Sequence, residues 1–179
     1  MLLLQYAWNY TALIVLSVAA FHLSLISTSL PPTADEREQI ERAIVLLEER
    51  GFINEAGVLR SSVTFRSTDN WLNSLIEKEE AYAAANFPFQ IITNYPDFYN
   101  KAVDDTERAA ILLHESRHLF GEDENQAYAY VWQNRERRGW TLRTHGTTAS
   151  YITIEQQTRE MAPELFTCPG RTYSDCTEW

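Results

Sequence analysis

Two histidines four residues apart, His114 and His118, enclose a glutamate in the run His114-Glu115-Ser116-Arg117-His118. On an α-helix, residues i and i+4 lie one turn apart on the same face, so both imidazoles reach a single ion. At about 100° per residue, Glu115 lies beside that face. Ala109, Leu112, Leu113 and Phe120 fall on the other side, as the apolar stripe a helix turns toward a core. A helix with a purely structural role has no reason to set two histidines and a carboxylate opposite its apolar stripe. This face is therefore expected to meet a metal ion.

The flanking sequence predicts the elements that must hold this helix. Asp105 or Thr106 caps its start and Gly121 ends it. A following helix runs from about Asp123 to Arg138, acidic at its start and basic at its end, as the helix dipole prefers. Upstream, Thr33 and Glu36 form a capping box that opens a helix to about Arg50, with Ile40, Ala43, Ile44 and Leu47 on its core face. Gly51 ends that helix. Val58–Phe65 reads as a short strand. Asp69 caps a helix to about Ala85, with Leu72, Leu75 and Ile76 toward the core. Phe87–Asn94 reads as a second strand, whose Pro88 argues for an edge position or a strand start. Tyr95-Pro96-Asp97 reads as a turn, and Thr148–Met161 as a last helix. The expected fold class is α+β: one helix-rich domain over residues 33–179 with a few short strands.

Composition narrows the function. Of 179 residues, 45% are hydrophobic, enough for a core, and the net charge of −10 argues against a nucleic-acid partner. Met1 to Leu30 carry no Asp, Glu, Lys or Arg, and Tyr10 to Leu30 are mostly apolar. As a helix that stretch is long enough to cross a hydrocarbon core of roughly 30 Å. Pro31 and Pro32 end it, so residues 1–32 read as a membrane anchor or a signal peptide. Either reading sets the domain outside the cytoplasm, membrane-anchored or secreted. In such a compartment Cys168 and Cys176, in the turn-rich CPGRTYSDC, are expected to form a disulfide.

His-Glu-x-x-His is the zincin signature, and the chain resembles a zinc metallopeptidase of that superfamily over about thirty residues, Asp105 to Arg135. HESRHLFGEDE resembles the extended metzincin pattern, in which a glycine turns the chain so that a third ligand returns to the metal. Metzincins usually place histidine there, whereas this chain has Glu124. A glutamate ligand on a following helix is the habit of thermolysin-like zincins. The subfamily stays open, and Met161 in TREMAP reads as a helix end as well as a Met-turn.

The resemblance implies a chemistry. His114, His118 and Glu124 would hold Zn²⁺ with one corner open to water. Glu115 would act as general base toward that water. Tyr128, one turn after Glu124, and His145, in the turn-like THGTT, are candidate oxyanion donors. Of the three acids after Gly121, Glu124 has the spacing of the pattern and Asp123 suits a helix N-cap. The expected activity is hydrolysis of a peptide or protein substrate, with a non-peptide amide as a variant. The alternatives are a non-catalytic zincin-like binding module and a structural protein with ordinary histidine contacts. The Phe89–Asn94 strand, if an edge, would pair with an extended peptide.

Overall fold

A computed structural model of the chain describes residues 2–75, 81–167 and 176–177. Its described residues form eight α-helices and a three-stranded sheet, an α+β fold. The first helix, α1 (Leu2–Ser27), is the apolar N-terminal segment. Its Tyr6–Ser27 stretch is long and apolar enough to cross a membrane, and Leu13 to Leu16 and Val18 are exposed.

Helix α2 (Ala34–Glu49) starts at the expected capping box: the Thr33 side chain accepts from the Glu36 N–H, and the Glu36 carboxylate from the Thr33 N–H. Ile40, Ala43, Ile44 and Leu47 are all buried. It stops at Gly51, where φ is +81°. There the Gly51 and Phe52 N–H groups return to the Glu48 and Leu47 carbonyls, a Schellman closure that sets Phe52 in the core near Leu47.

The next segment departs from expectation. Val58 lies in α3 (Ile53–Ser61), and only Thr64–Arg66 forms strand β1. Phe52, Ala56 and Leu59 bury themselves at helical spacing, and that contact outweighs the β preference of the valines. Among the described residues, the helix expected over 69–85 does not form. Residues 73–75 make a single 3-10 turn, Leu75 is 73% exposed, and Ala83–Asn86 form strand β2. Ile76 lies outside the described residues.

Strand β3 (Ile91–Asn94) is shorter than the expected 87–94 and lies in the centre of the sheet. It pairs in parallel with β1 and antiparallel with β2, in register Thr64↔Ile91 and Ala85↔Ile92. All four of its residues are buried, so this strand offers no free edge to a peptide. Pro88, which has no N–H to donate, falls in the β2–β3 turn. Pro96 is not in a simple turn either: it opens the short helix α4 (Pro96–Asn100).

Helix α5 (Asp105–Leu119) runs through the middle of the domain, against α2, α3, β2 and α6 (Glu124–Gln133). Ala109 to Leu113 are buried, whereas Phe120 is 45% exposed because the helix closes there and the ring leaves the core stripe. Helix α6 is shorter than expected; a 3-10 turn at 136–138 follows, ended by Gly139. Helix α7 (Leu142–His145) and α8 (Ala149–Met161) complete the domain, α8 packing on α6. Trp132, Trp140 and Tyr151 form an aromatic cluster between them. Met161 is the last residue of α8, a helix end rather than a turn beneath a site.

Candidate metal centre

The cap of α5 is Asp104 rather than the expected Asp105 or Thr106, which are already helical: the Asp104 carboxylate accepts from the Thr106 and Glu107 N–H groups. With its N-terminal half in the core, α5 brings His114 and His118 to its last two turns, on the side facing β2 and α6. Gly121, at φ +84°, closes the helix. Its N–H returns to the His118 carbonyl and that of Glu122 to Arg117, at 2.9 and 3.1 Å. The left-handed glycine reverses the chain within one residue. Asp123 then caps α6 in a box with Gln126, and Glu124 is the first residue of that helix.

This turn brings three donors together. His114 Nε2 and His118 Nε2 are 3.1 Å apart. The two Glu124 oxygens face one imidazole each, 3.2 Å from His114 and 3.4 Å from His118. Zinc bonds to nitrogen and carboxylate are about 2.0–2.2 Å long, which sets tetrahedral ligands about 3.3–3.6 Å apart. The triad has nearly those dimensions and could hold a metal ion.

The ring orientation fits as well. His118 Nδ1 lies 3.0 Å from the Glu122 carbonyl oxygen, which can only accept. Nδ1 therefore carries the hydrogen, and in the neutral ring Nε2 presents its lone pair to the other two donors. The local field favours positive charge. Burial opposes a charged His118, yet Glu124, Glu115 and the Glu122 carbonyl outweigh it and push the imidazole up to about 9. The two histidines in turn hold the Glu124 carboxyl far below the usual carboxylate range.

Glu115 is buried beside the triad and is not part of it. Burial raises its carboxyl above the ordinary range, against the pull of both imidazoles, and the Ala85 backbone N–H hydrogen-bonds to it. Ala85 thus points its N–H outward from β2. Tyr82, of opposite parity, turns its carbonyl inward to the Tyr95 N–H. Strand β2 is the edge of the sheet that faces the triad.

A second network braces the turn. Arg117 forks onto both oxygens of Glu122 and donates to Glu55 Oε1 at 2.9 Å. Tyr130 donates to the same Glu55 oxygen at 2.8 Å, and its ring lies 4.0 Å from the Arg117 guanidinium. Glu122 is therefore committed to Arg117 and Asp123 to capping, which leaves Glu124 for the triad.

The two expected oxyanion donors part company. Tyr128 is at the site, with its ring 4.4 Å from that of His114, and its hydroxyl donates to Gln157 Oε1 at 2.8 Å. His145 is not. It is buried in α7, with Nε2 3.0 Å from Asp104 Oδ2, at the start of α5. Ten helical residues, about 15 Å, separate Asp104 from His114. His145 therefore braces the helix N-terminus and has no access to the site.

The triad and Glu115 line a cavity of about 540 Å³ between α5, α6, α8 and β2. Its walls include Ala83, Ala84, Phe87 and Gln157. Gln157 and the Ala85 N–H carry no local sequence signal, because each reaches the site only through a contact between distant elements. Cys176 is disulfide-bonded, and its N–H donates to the Leu165 carbonyl at 2.8 Å. The expected partner, Cys168, lies outside the described residues. In comparisons with known proteins, the chain matches no family model, no curated protein and no solved structure.

Proposed function

We propose that this chain is a membrane-tethered, zinc-dependent hydrolase that cleaves peptide bonds. One observation carries the reading: two imidazoles and a carboxylate stand at tetrahedral spacing, with a buried carboxylate of raised pKa beside them and outside the ligand set. Two nitrogens and one oxygen suit zinc and leave one corner for water or substrate. Zinc so held supplies a Lewis acid and lowers the pKa of the water it binds.

The protein's own groups do the rest. Glu115 accepts a proton from the attacking water, and its raised pKa lets it keep that proton until the leaving amine takes it. The outward edge of β2 offers the Ala83 main chain to an extended substrate, with strand-like pairing along the cavity. Tyr128 packs against His114 and holds the ligand ring in place, while its bond to Gln157 ties α6 to α8. A peptide laid along β2 would set its carbonyl near these two cavity-lining side chains; the Gln157 amide N–H groups can donate to a developing oxyanion, and Tyr128 can once its hydroxyl hydrogen leaves Gln157.

Two further features support the tether and the compartment. Helix α1 joins the domain through its own last two turns, and the Cys176 disulfide suits an oxidising compartment.

The test is elemental analysis of the detergent-purified chain, together with Glu115→Gln. One zinc per chain is expected in both proteins, and hydrolysis of an unstructured polypeptide should fall at least about 10²-fold in the variant. Absence of zinc refutes the metal reading. Zinc without hydrolysis in the parent refutes the enzyme and leaves a binding module.

A further inference from the structure

Helix α1 is joined to the domain by more than a chain connection. Phe21 meets Trp71 edge-on at 5.6 Å and Phe89 at 5.1 Å, and His22 stacks on Phe89 at 5.9 Å. Trp71 Nε1 donates to Ser24 Oγ at 3.0 Å, and its backbone N–H donates to Thr28 Oγ1. Just beyond the helix, the Leu30 N–H donates to Thr68 Oγ1 and the Ser67 N–H to the Leu30 carbonyl. These contacts span the last two turns of α1 and the three residues after it, which leaves no free tether for the domain to swing on.

Their level relative to a bilayer follows from lengths. Phe21 lies six residues before the end of α1 at Ser27, about 9 Å along the axis. The apolar stretch Tyr6–Ser27 runs into this band, so the domain contacts from Phe21 onward, rather than hydropathy, set where the hydrocarbon must end; the 20 residues from Leu2 to Phe21 still suffice to cross it. The band from Phe21 to Leu30 then stands where hydrocarbon gives way to headgroups, the layer that aromatic rings prefer. Trp71, itself 39% exposed, is held in this band. Two residues before Phe89, in the same turn, Phe87 is 61% exposed and also lines the metal cavity.

We infer that Trp71 and the Phe87–Gln90 turn dock into the interfacial layer of the bilayer that α1 spans, so that the Phe87 side of the metal cavity opens at the membrane surface. The partner is the lipid interface itself. Large exposed aromatic residues beside a membrane helix, fixed to it by ring contacts and hydrogen bonds, are otherwise a solubility liability. The inference rests on reading α1 as an anchor and needs neither the metal nor hydrolysis.

The test uses the full chain in phosphatidylcholine vesicles. A fluorophore is attached at Phe87→Cys and, separately, at Glu49→Cys. Glu49 ends α2, about 24 Å along that helix from Thr33, which follows the band. A nitroxide lipid labelled near the headgroup should quench most of the emission from position 87 and leave position 49 bright. Adding Trp71→Ser should restore much of the emission at 87. Equal, weak quenching at both positions overturns the inference, because the domain then stands off the bilayer. Cross-linking of the unlabelled Phe87→Cys variant to a second chain through its new thiol overturns it too, because another copy then covers the turn. A chain that fails to float with vesicles overturns both this inference and the anchor, while zinc content and hydrolysis stay as separate readouts.

Discussion

Replacing Glu124 with alanine separates the metal reading from every structural role open to the acids after Gly121. The side chain is 58% exposed and its ion-pair partners among the described residues are the two imidazoles, so its loss leaves no buried cavity. Structural four-ligand zinc sites bind with about 10–16 kcal/mol, or about 2.5–4 kcal/mol per ligand on even division. One ligand lost should therefore weaken zinc binding about 10²–10³-fold. The neighbouring acids predict different signatures. Asp123→Ala removes a capping box, so α6 and the domain should lose about 1 kcal/mol, with zinc affinity changed far less. Glu122→Ala strips Arg117 of its forked partner but leaves the carbonyl that accepts from His118 Nδ1. It should lower stability more than metal affinity. The assay is competition against a chromogenic chelator on the detergent-solubilised chain, with urea unfolding of the metal-free protein alongside. If Glu124→Ala binds zinc as the parent does, the triad is a hydrogen-bonded cluster and the ligand assignment is wrong.

Three further outcomes follow from the same geometry. In Gly121→Ala the new Cβ meets nothing within 4 Å, so only the left-handed backbone resists; urea unfolding should show a loss of about 1–2 kcal/mol with zinc still bound. Arg117→Lys cannot fork onto Glu122 while holding Glu55, so it should behave as Glu122→Ala does: urea unfolding should show a loss of stability, with zinc affinity in chelator competition changed less. Burial alone would raise the Asp104 carboxyl, but bonds from His145 and the Glu107 and Thr106 N–H groups hold it below its ordinary 3.8. A lowered folded pKa stabilises fully above the ordinary value and is lost as pH falls through the folded one. The stability gap between the parent and Asp104→Asn, read by urea unfolding, should therefore be full at neutral pH and close below 3.8.

What could be read from the chain followed the range of the interactions. Helices α2, α5 and α6 announce themselves through local signals, namely caps at Thr33 and Asp123 and glycines at 51 and 121, although the cap of α5 falls on Asp104, just before the expected Asp105 or Thr106. The candidate ligand set, His114, His118 and Glu124, lies within eleven residues across one glycine turn, so spacing alone brings it together. Strand β2 is the opposite case. Alanine is the strongest helix former, and Ala83 to Ala85 read as a helix end until β3 pairs with them. The free edge is accordingly expected on the more hydrophobic 87–94 segment, which burial instead drives to the centre of the sheet. Nothing in THGTT announces that His145 will meet Asp104, forty-one residues earlier, rather than serve as an oxyanion donor. Gln157 is equally silent, since its contact with Tyr128 depends on how α8 lies on α6.

The three alanines of β2 also bear on selectivity. A strand that supplies the Glu115 contact from its backbone must come close to α5, and small side chains permit that approach. The same residues leave the cavity wall shallow along the edge where a chain would lie. Discriminating one substrate side chain from a slightly smaller one takes a snug pocket, worth about 1–3 kcal/mol per methylene. A methyl-lined wall offers little of that, while the exposed main chain of β2 offers the same hydrogen bonds to any sequence. On the proposed hydrolase function, such a cleft would rank substrates by whether they can lie extended rather than by which residue flanks the scissile bond, and bulk added at Ala83 or Ala84 should make cleavage more selective.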